Sequence, residues 1–167
     1  MEIKFPNQKE YIKDAVFSPD RKHRYALIRV WNNELPRIMF IGLNPSTANE
    51  KENDPTIRRV INFAKGWGFG GVYMCNLFSF VTPYPSELKK AKDNLENDFH
   101  LRYYTSISKE VLCAWGAFPE IGERSSQVYK MLKNYSAEFS ALQINKNGSP
   151  KHPLYVKADI KRVPFTV

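Results

Sequence analysis

The chain has 167 residues, 43% apolar and 25% charged, and its 25 Lys and Arg against 17 Asp and Glu leave a net charge of +8. This composition is that of a globular protein rather than a disordered or membrane one, and the length suits a single domain over residues 1–167 with a core on both faces of a sheet. The longest apolar stretches, near Ile38–Leu43 and Val72–Val81, are far short of a membrane span, and the opening MEIKFPNQKE has no signal-peptide apolar region.

The expectation is therefore a cytoplasmic protein without a membrane partner. Cys75 and Cys113 sit in apolar, strand-like runs with no CxxC companion, which reads as reduced core residues. His23, His100 and His152 are too dispersed to suggest a metal site. The basic excess favours a polyanionic partner such as nucleic acid, although cations spread without a long run also fit a generally basic surface.

In chain order, the alternating Tyr25–Trp31 and the preceding Ala15–Phe17, joined through Ser18-Pro19-Asp20, predict an N-terminal β-hairpin at about residues 14–31. Arg37–Leu43 is nearly continuously apolar, as a central parallel strand buried on both faces requires. Asn53 or Asp54 can cap the helix that follows, with Pro55 at its first position and Ile57, Val60, Ile61 and Ala64 on one face up to Gly66.

The alternation then repeats: a strand over Val72–Phe80 and a helix from Leu95 to about Lys109 with Leu95, Phe99, Tyr103 and Ile107 along one side. A strand over Val111–Trp115, a helix from Ser125 or Ser126, and a fourth main strand over Phe139–Ile144 complete the pattern. Strands and helices alternating at this spacing predict right-handed crossovers, hence a three-layer α/β/α sandwich around a mainly parallel four-stranded sheet, with the hairpin added.

Ligands of such sheets bind beyond the carboxyl ends of the strands. The residues there are Gly42-Leu43-Asn44-Pro45-Ser46-Thr47, Asn76, Trp115-Gly116 and Gly148–Tyr155. Each has a plain structural explanation: Gly42 and Asn44-Pro45 as turn chemistry, Asn76 as a cap for a loop, Trp115 as a core aromatic, His152 as a surface loop residue. Their coincidence at four strand ends favours a site. Arg58 and Arg59, in the first turn of a helix where the dipole disfavours cations, either pair with Asp54, Glu50 or Glu52 or contact a phosphate. Arg29 is either a solvated outer-face residue or a phosphate ligand at the rim.

The motifs GLNPSTA, NDPTIRR, AWG and GSPKHPLY together resemble the domain of unknown function 1643 family, and the order of strand-end residues resembles the uracil-DNA glycosylase superfamily over about Arg37–Tyr155. That second resemblance implies a glycosylase-like fold and a flipped base in DNA as partner, with neither metal nor cofactor and a monomeric chain. Residue by residue, it implies that Gly42, Asn44 and Pro45 form the water-positioning loop, Asn76 reads the base edge, and His152 donates to the base as the N-glycosidic bond is hydrolysed. Ser46, Thr47, Arg58, Arg59, Leu154 and Tyr155 then face phosphates or the DNA stack.

An asparagine at position 44 orients a water without removing its proton, and no stacking aromatic is assigned beyond a guess at Trp31. The expected function is a base-flipping DNA glycosylase acting on a damaged, mismatched or modified base. The alternatives are a nucleotide or nucleoside enzyme using the same base pocket, and a non-catalytic nucleic-acid-binding module that recognises a modified base.

Overall fold

The computed structural model describes residues 11–90 and 94–167; the opening segment expected to lack a leader lies outside them. A seven-stranded mixed sheet runs in the order β1-β2-β4-β3-β5-β6-β7. Its strands are β1 (Ile12–Phe17), β2 (Arg24–Val30), β3 (Arg37–Gly42), β4 (Gly71–Asn76), β5 (Glu110–Cys113), β6 (Glu138–Ala141) and β7 (Val163–Pro164). Three α-helices lie among the described residues: α1 (Pro55–Gly66), α2 (Leu95–Ser106) and α3 (Arg124–Leu132).

The expectation of a four-stranded sheet is corrected by this order. β4, β3, β5 and β6 are parallel neighbours, but β2 pairs antiparallel with β4 and β7 antiparallel with β6. The hairpin is thus not an addition beside the sheet. It continues the sheet past β4, whose backbone would otherwise present an open edge.

Successive residues of β3 feed opposite cores, as the two-residue period of a strand requires. Ile38 and Phe40 meet Ile57, Val60, Ile61 and Ala64 of α1, while Met39 and Ile41 meet Leu101 and Tyr104 of α2 and Val128 and Leu132 of α3. Each fully buried aliphatic side chain contributes roughly 1.5–3 kcal/mol by leaving water, so the two clusters hold the helices to the sheet. Both cysteines lie buried in the α2–α3 cluster as free thiols. Burial pushes the Cys75 thiol up to about 12, so it remains protonated and unreactive.

α2 corrects a second expectation. Leu95, Phe99, Tyr103 and Ile107, read as its core side, are all exposed, and Asn97, Leu101, Tyr104 and Thr105 face inward instead. Of the inward polar groups, Thr105 Oγ1 donates to the Leu101 carbonyl at 2.7 Å and Asn97 Nδ2 donates to the carbonyls of Asn76 and Leu77 at 3.0 and 3.2 Å, while Asn97 Oδ1 is buried without a partner among the described residues. The helix thereby grips the end of β4.

From β3 the chain passes through α1 to β4 on one side, and from β4 through α2 to β5 on the other side of β3. The connections leaving β3 and β5 therefore diverge, which opens a crevice at the carboxyl end of the sheet.

Candidate functional site

The crevice holds a recess of about 200 Å³ lined by Gly42, Asn44, Pro45 and Ser46 after β3, Asn76 at the end of β4, and His152. Three residues not anticipated as site residues join them: Arg24, Asp54 and Phe118. Gly42 and Asn76 are register partners in the parallel β3–β4 pair. A Cβ on Gly42 would stand 2.7 Å from Asn76 Oδ1 and 2.8 Å from the Met74 methyl, so only glycine lets the carboxamide lie across the end of β3. Asn76 is 2% exposed, its backbone clamped by Asn97, and its Nδ2 has no hydrogen-bond partner. An amide left unsatisfied in this way costs about 1–3 kcal/mol unless a ligand or water supplies an acceptor.

Asn44 has a structural duty. Its Nδ2 donates to the carbonyls of Thr82 at 2.7 Å and Pro45 at 3.0 Å, which fastens the Pro83 and Pro85 loop over the recess. Its remaining polar atom, Oδ1, is an acceptor only, suited to orienting a water and unable to take its proton at neutral pH. The carboxylate that can do so is Asp54, which no other acidic residue among those described accompanies in the recess wall. Its Oδ1 accepts the Ile57 N–H at 2.9 Å as the cap of α1. The sequence suggests Asp54 as a cap or as an ion-pair partner of Arg58 and Arg59, and the structure shows the cap, with no ion pair from either arginine among the described residues.

His152 caps a short 3-10 turn, Pro153–Tyr155, by accepting the Leu154 N–H on Nδ1 at 3.2 Å. With Nδ1 an acceptor, the proton of the neutral ring belongs on Nε2, which makes Nε2–H its donor. Burial pushes the His152 pKa below its ordinary 6.5, against the opposing pull of the Asp54 carboxylate, so the ring is neutral at pH 7.

Two arginines hold this arrangement together. Arg59 donates from Nε to the Pro153 carbonyl at 3.1 Å and from Nη2 to the Val156 carbonyl, tying α1 to the His152 turn. Arg29 is 1% exposed, which excludes the solvated outer-face position considered from the sequence. It donates to Asn53 Oδ1 at 2.8 Å and the Asn49 carbonyl at 2.6 Å, bracing the loop that presents Asp54.

The other residues singled out from the sequence lie outside the recess. Arg58 is exposed and bonds the Asn53 carbonyl at 3.0 Å, and Thr47 is exposed. Leu154 and Tyr155 are 46% and 73% exposed beside it, with Tyr155 lining an adjoining recess that His152 and Phe118 share. Trp31 bonds the Phe69 carbonyl through its indole N–H and packs with the α1 core, and Trp115 is buried against Phe165. Neither lines the recess; the aromatic that does is Phe118. Gly116, at φ +75°, brings that ring close, since a Cβ there would lie 3.1 Å from it.

The model of the family described as "Protein of unknown function (DUF1643)" matches residues 24–154. The chain belongs to the DUF1643 family. The matched segment of this DUF1643 protein begins at Arg24 and includes Asp54, Phe118 and His152, so it contains every recess residue named above. No curated protein and no solved structure matches the chain. Among the described residues of the DUF1643 chain no cluster of His, Cys, Asp and Glu suited to a metal ion forms, and no helix is long and apolar enough to cross a membrane.

Proposed function

We infer that this recess is a base site and that the DUF1643 chain hydrolyses an N-glycosidic bond of a damaged, mismatched or modified base flipped out of DNA. The observation that carries the reading is the convergence, in one small recess, of a buried amide with an unpartnered donor, a neutral histidine and the one carboxylate that lines it among the described residues. The size supports it. A volume of about 200 Å³ is below the roughly 300–1,000 Å³ of pockets that enclose drug-sized ligands, which favours one ring inside with sugar and phosphate left at the surface.

As the bond between C1′ and the base breaks, its electron pair leaves with the base and positive charge grows on the sugar. His152 Nε2–H donates to a base carbonyl and stabilises the departing charge, a preorganised interaction worth about 3 kcal/mol. Asp54 accepts the proton of a water held by Asn44 Oδ1 as the water oxygen bonds C1′. Phe118 stacks on the ring, and Asn76 pairs with its edge.

Duplexes carrying a panel of modified bases, and the corresponding free nucleosides, test this when released base is detected by mass. Release from duplex supports the glycosylase reading, and release from nucleoside alone supports the small-substrate enzyme. Binding without release supports the recognition module.

A further inference from the structure

A buried cation in the recess has no counterpart in that mechanism. Arg24 opens β2, is 2% exposed and lines the recess. Its Nη1 donates to the Ala48 carbonyl at 3.1 Å, and its Nε is buried with no hydrogen-bond partner. Among the described residues no carboxylate comes within 4 Å of it; Asp54 attracts it only through space. Burial lowers its pKa to about 10, still far above neutral, so the guanidinium is charged. An arginine this buried is ordinarily paired, because an uncompensated interior charge is strongly destabilising. The second unpartnered donor of the recess, Asn76 Nδ2, lines the same cavity.

We propose that Arg24 and Asn76 together form an oxyanion site, and that the ring entering the recess carries a negatively charged group, such as a ring carboxylate, which these two donors hold. A neutral carbonyl satisfies the amide but leaves the arginine without a hydrogen-bonded anion, since Asp54 acts on it only through space. A carboxylate satisfies both, and its bonds to a guanidinium are of the stronger, charge-assisted kind. The site is too small to enclose a whole nucleotide, which places the charge on the ring rather than on a backbone phosphate.

The proposal rests on the reading of the recess as a base site, and a binding experiment separates the two. Affinities of the full-length chain for uracil, 5-carboxyuracil, 6-carboxyuracil and inorganic phosphate are measured by calorimetry at neutral pH, for wild type, Arg24→Lys and Arg24→Gln. At least one carboxylated ring is expected to bind tenfold or more tighter than uracil, with the preference retained by Arg24→Lys and reduced to twofold or less by Arg24→Gln. Should Arg24→Gln not fold, the wild-type comparison decides. Uracil binding as tightly as both carboxylated rings overturns the charge claim and leaves the base site standing. No ring binding at all overturns both, and Arg24-dependent phosphate binding without ring discrimination overturns the ring-borne charge.

Discussion

Gly42 and Asn76, partners across the β3–β4 pair, form one unit: the carboxamide of Asn76 occupies the space a side chain at position 42 would need. The unit exists because β3 stops on a glycine where β4 stops on an amide, both at the sheet edge where the crevice opens. Gly42→Ala is therefore expected to displace Asn76 and Met74 and to cost about 1–3 kcal/mol, as overpacking in a core does. Urea denaturation of the variant measures this. A variant as stable as wild type, with unchanged base binding, would separate Gly42 from the site.

Asn76→Asp tests what the amide reads. A carboxamide both accepts and donates, so it matches the N3–H and O4 of a uracil-like edge, whereas a carboxylate only accepts and favours the N4 donor of a cytosine-like edge. The substitution is expected to lower binding of uracil-type substrates relative to cytosine-type ones by about tenfold, the equivalent of 1.4 kcal/mol. An unchanged ratio in a folded variant would remove Asn76 from recognition.

The cap role of Asp54 and the base role proposed for it are separated by two substitutions. Asparagine caps a helix as well as aspartate, so Asp54→Asn is expected to melt near wild type, while Asp54→Ala loses about 1 kcal/mol of stability. Base release is expected to fall by about 100-fold or more in both, the scale of general-base catalysis, with base binding retained in Asp54→Asn. Full activity in Asp54→Asn would leave the residue a cap alone.

His152 yields a pH dependence whose sign follows from its depressed pKa. The unfolded chain takes up the proton first as pH falls, so the contribution of His152 to stability is complete above about 6.5 and is lost as pH drops through its folded pKa. An NMR titration is expected to place the ring midpoint below 6.5, and His152→Gln to flatten the loss of stability that sets in as pH falls below about 6.5. A midpoint at or above 6.5 would mean that Asp54 outweighs burial.

The sequence made the ends of β3 and β5 legible because short apolar runs bounded by glycine, asparagine and proline mark where a buried strand stops, whereas the strands expected to run to Phe80 and Ile144 stop earlier, at Asn76 and Ala141. Gly42, Asn44, Pro45, Ser46, Asn76 and His152 accordingly meet in one recess. The helix face of α2 was misread for a definite reason. Leu95, Phe99, Tyr103 and Ile107 form a regular stripe, but Asn97 on the other side makes the bonds that hold the end of β4, and Leu101 and Tyr104 pack into the core beside it. Arg24 and Phe118 left no local signal, since Arg24 meets the Ala48 loop, and Phe118 shares a recess with His152, only across the fold. The capping signal of Asp54 is legible in the sequence, while its place in the recess wall arises only from the fold.

Base release from DNA tests the central claim most directly. Duplexes carrying single uracil, cytosine-derived and other modified pyrimidines are incubated with excess protein at low salt, and free base and abasic sites are quantified by mass for wild type, Asp54→Asn and His152→Ala. The account predicts release of at least one base by the wild type, reduced about 100-fold or more in each variant while both remain folded. Release from no duplex, or equal release by wild type and both variants, would contradict it.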